Sequence, residues 1–433
     1  MTVIIGAVAP YINCRWTTML LWLASLAHAQ QVVIRLEDNG LDCLDYVDHQ
    51  PLFPQPPAML RALHQQLHSD DRPLRDLTLY RLVSPESGLI DEPCVELAYP
   101  APVTVPPPNR MVNPADIEPL TPSFILMQQW LWPAPVGFGS SLAWNWPGGD
   151  GANVVVADIE YGFDDTHEDL FNNPPQRVWG RGSDQYDYHG NAVLGLVGAA
   201  GDGFGTTGGA KASTIWVMGP YTESGEYSVE ATIAEAALRL APGDVLLIEQ
   251  QAIVNDYRAP VSAIPAVFDA IALSVAAGIT VVEPTGNGGT DLDAAIWNGT
   301  FDRNQYDSGS ILVGGGDDNH QPAGHTNFGS RVDVHGLAEG VIAPTSTEFS
   351  PDLFFPNQDK RQAYTRSFAG TSAAAAQIAA LAAQVQSISL ELHGEPIEPL
   401  TLRRWMRETG TPTTSAIGHS PNMGQLLRTY LTP

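Results

Sequence analysis

Cysteine is scarce: three residues in a chain of 433. A disulfide-built scaffold is thereby excluded, and a chain of this length buries enough apolar surface to need none. Basic side chains are scarce too. Twenty-one Lys and Arg stand against 48 Asp and Glu, a formal net charge of −27. Phosphate recognition needs basic patches, so a nucleic-acid partner is excluded, and an anionic membrane surface would repel the chain. Outside the N-terminal region no segment is read as a membrane span. There is no H-E-x-x-H zinc motif, no EF-hand spacing and no internal repeat.

The N-terminus carries an export pattern. Arg15 precedes a short apolar run from Met19 to Leu26, which ends in Ala27-His28-Ala29. A short apolar core before an A-x-A site is the signature of a cleaved signal peptide, expected over residues 1–29. A secreted or periplasmic protein follows, with no membrane anchor once the signal is removed. Cys14 falls inside this segment. Cys43 and Cys94 remain, either as one disulfide in an oxidising compartment or as two buried thiols.

Residues 30–105 form a small α+β pattern. Val32-Val33-Ile34-Arg35-Leu36 is a strand candidate, Pro57 opens a helix with Leu60, Leu63 and Leu67 on one face, and Leu77 to Val83 alternates like a half-buried strand. Prolines then crowd the chain from Pro100 to Pro122, so residues 106–144 are expected to be a proline-rich linker and extension. From about residue 145 to 433 the pattern changes. Continuous apolar runs (Val154-Val155-Val156-Ala157, Ile215-Trp216-Val217-Met218, Val245-Leu246-Leu247-Ile248, Ile279-Thr280-Val281-Val282, Ile311-Leu312-Val313) alternate with helical segments. Buried strands alternating with helices predict an α/β fold with a mainly parallel sheet and helices on both faces. Active sites in such folds lie beyond the C-terminal strand ends.

Four residues with useful chemistry fall at element ends. Asp158 closes the first strand, His189 precedes Gly190 and a helix, Asn287 follows Gly286 after another strand, and Ser372 follows Gly370-Thr371 at the start of an Ala-rich helix. A serine on the first turn of a buried helix sits at the positive end of its dipole, beside unsatisfied N–H groups able to hold an oxyanion. An acid, a histidine and a serine are the set that nucleophilic hydrolysis requires.

These residues resemble the subtilisin-like serine peptidases, or subtilases. Gly370-Thr371-Ser372-Ala373-Ala374 is similar to the family's serine motif and His189-Gly190 with Val193 to its histidine motif. Val154 to Asp158, followed by His167-Glu168-Asp169-Leu170, is similar to its aspartate motif, and Gly286-Asn287 to the oxyanion segment. The resemblance spans residues 145–390. It implies a three-layer subtilisin-like fold behind a small α+β prodomain, and a secreted endopeptidase self-processed from a precursor. Its implied site has Ser372 as nucleophile, His189 as general base, Asp158 as orienting acid and Asn287 as oxyanion donor. Protein or peptide substrates and the chain's own propeptide are the implied partners. No cofactor is implied for the chemistry; structural calcium is common in the family, but no ligands stand out here. Ile159-Glu160 after Asp158, Asn191, and Ala376 depart from the family pattern. Glu249 and Glu283, near segments that flank the specificity pocket, suggest an acidic pocket for basic side chains.

Three other readings carry less of the sequence. Gly203-Phe204-Gly205-Thr206-Thr207-Gly208 lacks the strand before and helix after that a dinucleotide site needs. A serine esterase of the α/β-hydrolase kind would want G-x-S-x-G and an Asp after the serine. A secreted binding protein would use none of the four site residues chemically.

Overall fold

The computed structural model describes residues 116–431, apart from 223–224, 226, 255, 348–350 and 414, and before them 32–36, 49–51, 58, 61, 80–84 and 94–100. The chain divides into two compact units, Met1–Met111 and Val112–Pro433. In the first, strands β1 (Val32–Leu36), β2 (His49–Pro51), β3 (Tyr80–Val83) and β4 (Val95–Pro100) form an antiparallel sheet in the order β2-β3-β1-β4. Ile34, Leu36 and Val83 are buried apolar residues among those described. Cys94 is disulfide-bonded. The signal segment, Cys43 and most of the helix expected after Pro57 lie outside the described residues.

The second unit is built on seven parallel strands. In chain order they are β5 (Val155–Ile159), β6 (Gln176–Trp179), β7 (Thr214–Met218), β8 (Val245–Ile248), then, after the hairpin β9 (Gln251–Val254)–β10 (Tyr257–Pro260), β11 (Thr280–Pro284), β12 (Ile311–Gly316) and β13 (Val334–Leu337). The spatial order is β13-β12-β11-β8-β5-β7-β6, so β5 and β8 sit side by side at the centre. An antiparallel pair, β14 (Val341–Pro344) and β15 (Tyr364–Phe368), leads into the serine segment.

Side chains alternate across the strands with period two, and each face meets its own helices. Helix α1 (Asp187–Gly198) and the long α4 (Thr371–His393) cover one face, where Val156, Val217, Leu247, Val282 and Val313 pack. Helices α2 (Val229–Arg239) and α3 (Pro265–Ala276) cover the other, with Ala157, Ile159, Leu246, Ile248 and Val281. The parallel α/β sheet with helices on both faces is thus as the apolar runs predict. Helix α1 starts at Asp187, so His189 lies inside its first turn rather than ahead of it.

Helix α4 is enclosed by protein, which explains its near-continuous apolar composition. Among the described residues it is the one helix long and apolar enough to cross a membrane, and it is buried as a core helix instead. Its glutamines are each satisfied. Gln377 bridges the Leu337 N–H and carbonyl, Gln384 donates to the Ser140 and Gly149 carbonyls, and Gln386 exchanges bonds with Ile397. Buried amides fully paired in this way fix the helix register against β13 and the chain at 140–149.

One expectation changes in this unit. The stretch 106–144 is not linker throughout: Trp130, Leu131, Phe138 and Ala143 are buried in the core beside α4. A linker reading from proline density misses them because those apolar residues show no helical or strand period. The segment before the serine motif packs on the unit. Tyr364 is fully buried, edge-on to Phe124 at 5.1 Å, and donates to Asp169 at 2.6 Å. A final helix, α5 (Pro399–Thr409), buries Leu402 and Met406, while Trp405 stacks on Tyr430 at 4.4 Å.

Candidate active site

The strand order brings the C-terminal end of β5, the first turn of α1, the end of β11 and the start of α4 around one cleft of about 470 Å³. His189, Asn287 and Ser372 all line it. Gly370 caps α4 with φ 100°, a left-handed value that favours glycine, and a Cβ there would stand 3.4 Å from Asn287 Oδ1. Ser372 is therefore the second helical residue, among N–H groups that have no partner within the helix.

Asn287 is fixed from three sides. Its Oδ1 accepts from the Thr371 N–H at 2.9 Å and from the Thr371 hydroxyl at 3.2 Å, and its own N–H donates to Gln251 Oε1 at 3.0 Å. The side-chain carbonyl is thus used in anchoring the helix start. Among the described residues nothing engages the Nδ2 donor, which is left for the cleft.

His189 Nδ1 lies 2.6 Å from Glu160 Oε2, and Glu160 is fully buried. A carboxylate only accepts, so Nδ1 is the protonated nitrogen and Nε2 is the basic one. Glu160 Oε1 also accepts from the Tyr161 N–H at 2.7 Å, which sets the carboxylate plane. Phe368 packs edge-on to the imidazole at 5.7 Å and 77°. Burial opposes charging of the imidazole, but the Glu160 charge and hydrogen bond outweigh it and raise the His189 pKa above the ordinary value. Gly190 makes this approach feasible. A Cβ on it would lie 1.8 Å from the Gly162 carbonyl oxygen and 3.0 Å from Glu160 Cγ.

This corrects the expectation for Asp158. Asp158 pairs with Leu247 and Val217 within the sheet, one turn of the pleat below the strand end, and is wholly buried. It does not reach His189, and among the described residues neither carboxyl oxygen has a hydrogen-bond partner. Period two puts Asp158 and Glu160 on the same face, and the one nearer the strand end meets the helix. The sequence held a signal for this: Glu160-Tyr161-Gly162 has the acid-x-Gly spacing whose absence after Asp158 reads as a departure from the family pattern.

Neither glutamate forms a simple acidic pocket. Glu283 turns away, with Oε1 accepting from the Ser310 hydroxyl at 2.7 Å and Oε2 from the Ser262 N–H at 3.4 Å. Glu249 lines the cleft, but its carboxyl is buried beside the Ser372 hydroxyl. Among the described residues no group of three or more His, Cys, Asp or Glu is placed to hold a metal ion.

The model of the subtilase family matches residues 151–423, more than half of the chain. Two solved structures share the fold. Proteases from Pseudoalteromonas arctica are 18% identical over 71% of this chain and 98% of theirs, with a TM-score of 0.54. The prenylagaramide maturation protease PagA is 17% identical over 67% of this chain and 97% of its own, with a TM-score of 0.51. A comparison with curated proteins gave no match. A serine-bearing helix start, a carboxylate-bound histidine and an anchored asparagine on one cleft, together with a family match across the unit that holds them, lead to one assignment: the chain belongs to the subtilase family of serine peptidases.

Proposed function

We propose that the chain is an exported serine endopeptidase with a Glu160-His189-Ser372 triad and Asn287 as oxyanion donor. The observation that carries this reading is the 2.6 Å Glu160–His189 pair, on the same cleft as Ser372 at the head of a buried helix. His189 Nε2 takes the Ser372 proton as Oγ attacks the peptide carbonyl carbon. The oxyanion is held by Asn287 Nδ2 and the Ser372 N–H at the helix start. His189 then gives its proton to the departing amine, the C–N bond breaks, and an acyl-enzyme remains. Water attacks it with His189 again as base, and the acid leaves with Ser372 restored. Glu160 holds the tautomer and balances the imidazolium. A Glu in this role adds one methylene to the usual Asp, and the absence of a Cβ at Gly190, where one would stand 3.0 Å from Glu160 Cγ, leaves room for it.

The antiparallel unit before residue 112 is read as a propeptide removed by the enzyme itself, supported by its small size and separate fold. The disulfide at Cys94 favours an oxidising compartment, in line with the signal pattern at residues 1–29. Mass spectrometry of wild-type and Ser372→Ala protein incubated with casein tests the whole reading. The wild type is expected to shed an N-terminal fragment and degrade casein, and the variant to do neither. Equal behaviour of the two would overturn it.

A further inference from the structure

Glu249 has no place in the mechanism above, yet its carboxyl is buried next to the nucleophile. It follows β8, two residues beyond Leu247, and Leu247 is the sheet partner of Asp158. Asp158, Leu247 and Glu249 therefore share the face that α1 and α4 cover, and the Glu249 N–H donates to the Ile159 carbonyl at 3.4 Å. None of the four oxygens of Asp158 and Glu249 accepts a well-aligned hydrogen bond among the described residues, although the Ser372 hydroxyl lies near enough to Glu249 to favour its charged form in part. Two unpaired buried carboxylates with Glu160 close by would repel strongly, so the group holds protons.

The titratable and charged surroundings are few. Asp158 and Glu160 face Glu249 from β5 and its end. His189 comes from α1, the Ser372 hydroxyl and the positive helix end from α4. Tyr161, Tyr186, Tyr188 and His325 line the same cleft, and no Lys or Arg does. Glu283 on β11 is turned to Ser310. Burial first, then the charges of Asp158 and Glu160, hold the Glu249 carboxyl well above the ordinary range, and the Ser372 hydroxyl pulls it back only in part. Burial and Glu160 do the same to Asp158.

We propose that Glu249 is a positioning residue for the nucleophile: neutral, it donates its O–H to the Ser372 oxygen and leaves the hydroxyl hydrogen for His189; ionised, it accepts that hydrogen itself and holds Ser372 idle. No bond is made or broken in the switch beyond loss of the Glu249 proton to solvent. The inference rests on Ser372 being the nucleophile. It makes the enzyme's alkaline limit a property of the site rather than of the fold.

The test is the pH dependence of kcat and KM for casein-derived peptide hydrolysis by wild type, Glu249→Gln, Asp158→Asn and Ser372→Ala, with circular dichroism at each pH. The wild type is expected to lose kcat by roughly tenfold per pH unit on the alkaline side while still folded, with KM little changed. Glu249→Gln donates from its amide at every pH and is expected to lose that limb. Asp158→Asn removes a charge that keeps Glu249 neutral, and the limb is expected to move to lower pH. A merely structural role predicts neither the loss nor the opposite shift. A folded wild type whose kcat stays flat through alkaline pH overturns the proposal without any variant, as does a limb unchanged in Glu249→Gln. Failure of the underlying reading looks different: the wild type cleaves nothing, or Ser372→Ala cleaves equally.

Discussion

Replacing Glu160 by Gln perturbs one hydrogen bond and one charge, and the structure sets the size of the effect. The amide keeps the volume and still has an oxygen for the Tyr161 N–H, which Glu160 Oε1 binds at 2.7 Å. Its NH₂ then faces His189 Nδ1 in place of an oxygen at 2.6 Å, so Nδ1 becomes the acceptor and Nε2 carries the proton. That tautomer cannot take the Ser372 proton. The imidazolium also loses its counter-charge. With charge centres about 4 Å apart and an effective dielectric constant near 20, that attraction is on the order of 4 kcal/mol. Loss of tautomer control and charge together corresponds to a fall of about 10⁴ in kcat, or about 5.5 kcal/mol. KM is expected to hold, since Glu160 is buried behind the histidine. Asp158→Asn, assayed at the pH of its own optimum, is expected to stay within about tenfold of wild type, because Asp158 does not reach His189. Steady-state kinetics on one peptide substrate decides. If Asp158→Asn loses about 10⁴ and Glu160→Gln stays near wild type, the assignment of the acid is refuted. Proton NMR gives a second check: burial then acts alone on His189, so its pKa is expected to drop from its raised position to below the ordinary value.

Three further outcomes follow from other parts of the second unit. Gly190→Ala places a methyl against the Gly162 carbonyl oxygen, so α1 shifts from Glu160; a loss of about a hundredfold in kcat is expected, and retention of full activity would contradict the close approach. Asp333 is buried and pairs with Arg331 at 2.7 Å and Arg303 at 2.9 Å, so Asp333→Ala leaves the almost fully buried Arg331 with Asp307 at 3.4 Å as its remaining counter-charge and is expected to cost about 3 kcal/mol in denaturant unfolding. Asp169 is fully buried, and burial pushes its pKa from 3.8 up to about 8, against hydrogen bonds from Thr206 and Tyr364. Its folded pKa is raised, so its contribution is fully present below about pH 4 and is lost as pH rises towards 8, by an amount on the order of 5 kcal/mol. Asp169→Asn is expected to flatten that part of the Tm–pH curve, and an unchanged slope would contradict the assignment.

The sheet was legible because its strands are buried on both faces. Runs such as Val245-Leu246-Leu247-Ile248 are continuous in sequence and fully buried in the fold. Helix α4 was legible for the same reason, since its composition shows no polar face. The strand β6 was not, because Gln176 and Arg177 are exposed at the sheet edge and break any apolar run. The core residues at 124–144 were hidden because they sit on or beside single helical turns of three or four residues, too short to show a period. At the site, Ser372, His189 and Asn287 were visible through their glycine-rich surroundings. The acid proposed for the triad lies two residues beyond the one the motif suggests, one full repeat of the strand, which keeps the face and changes the depth. Apart from the acid-x-Gly spacing of Glu160-Tyr161-Gly162, it is the reach of the side chain relative to α1 that separates Asp158 from Glu160, and reach is a property of the packed helix. Glu249 reads in the sequence as an acid near the specificity pocket, but its orientation towards Ser372 depends on the pairing of β8 with β5, which no local pattern encodes.

The measurement that tests the central claim most directly is labelling of the purified protein with a fluorophosphonate, followed by peptide mass spectrometry. The account predicts a single adduct on Ser372, strong in the wild type, nearly abolished in Glu160→Gln, and preserved at acidic to neutral pH in Glu249→Gln. An unlabelled Ser372 in folded, processed wild-type protein, or equal labelling after Glu160→Gln, would contradict it.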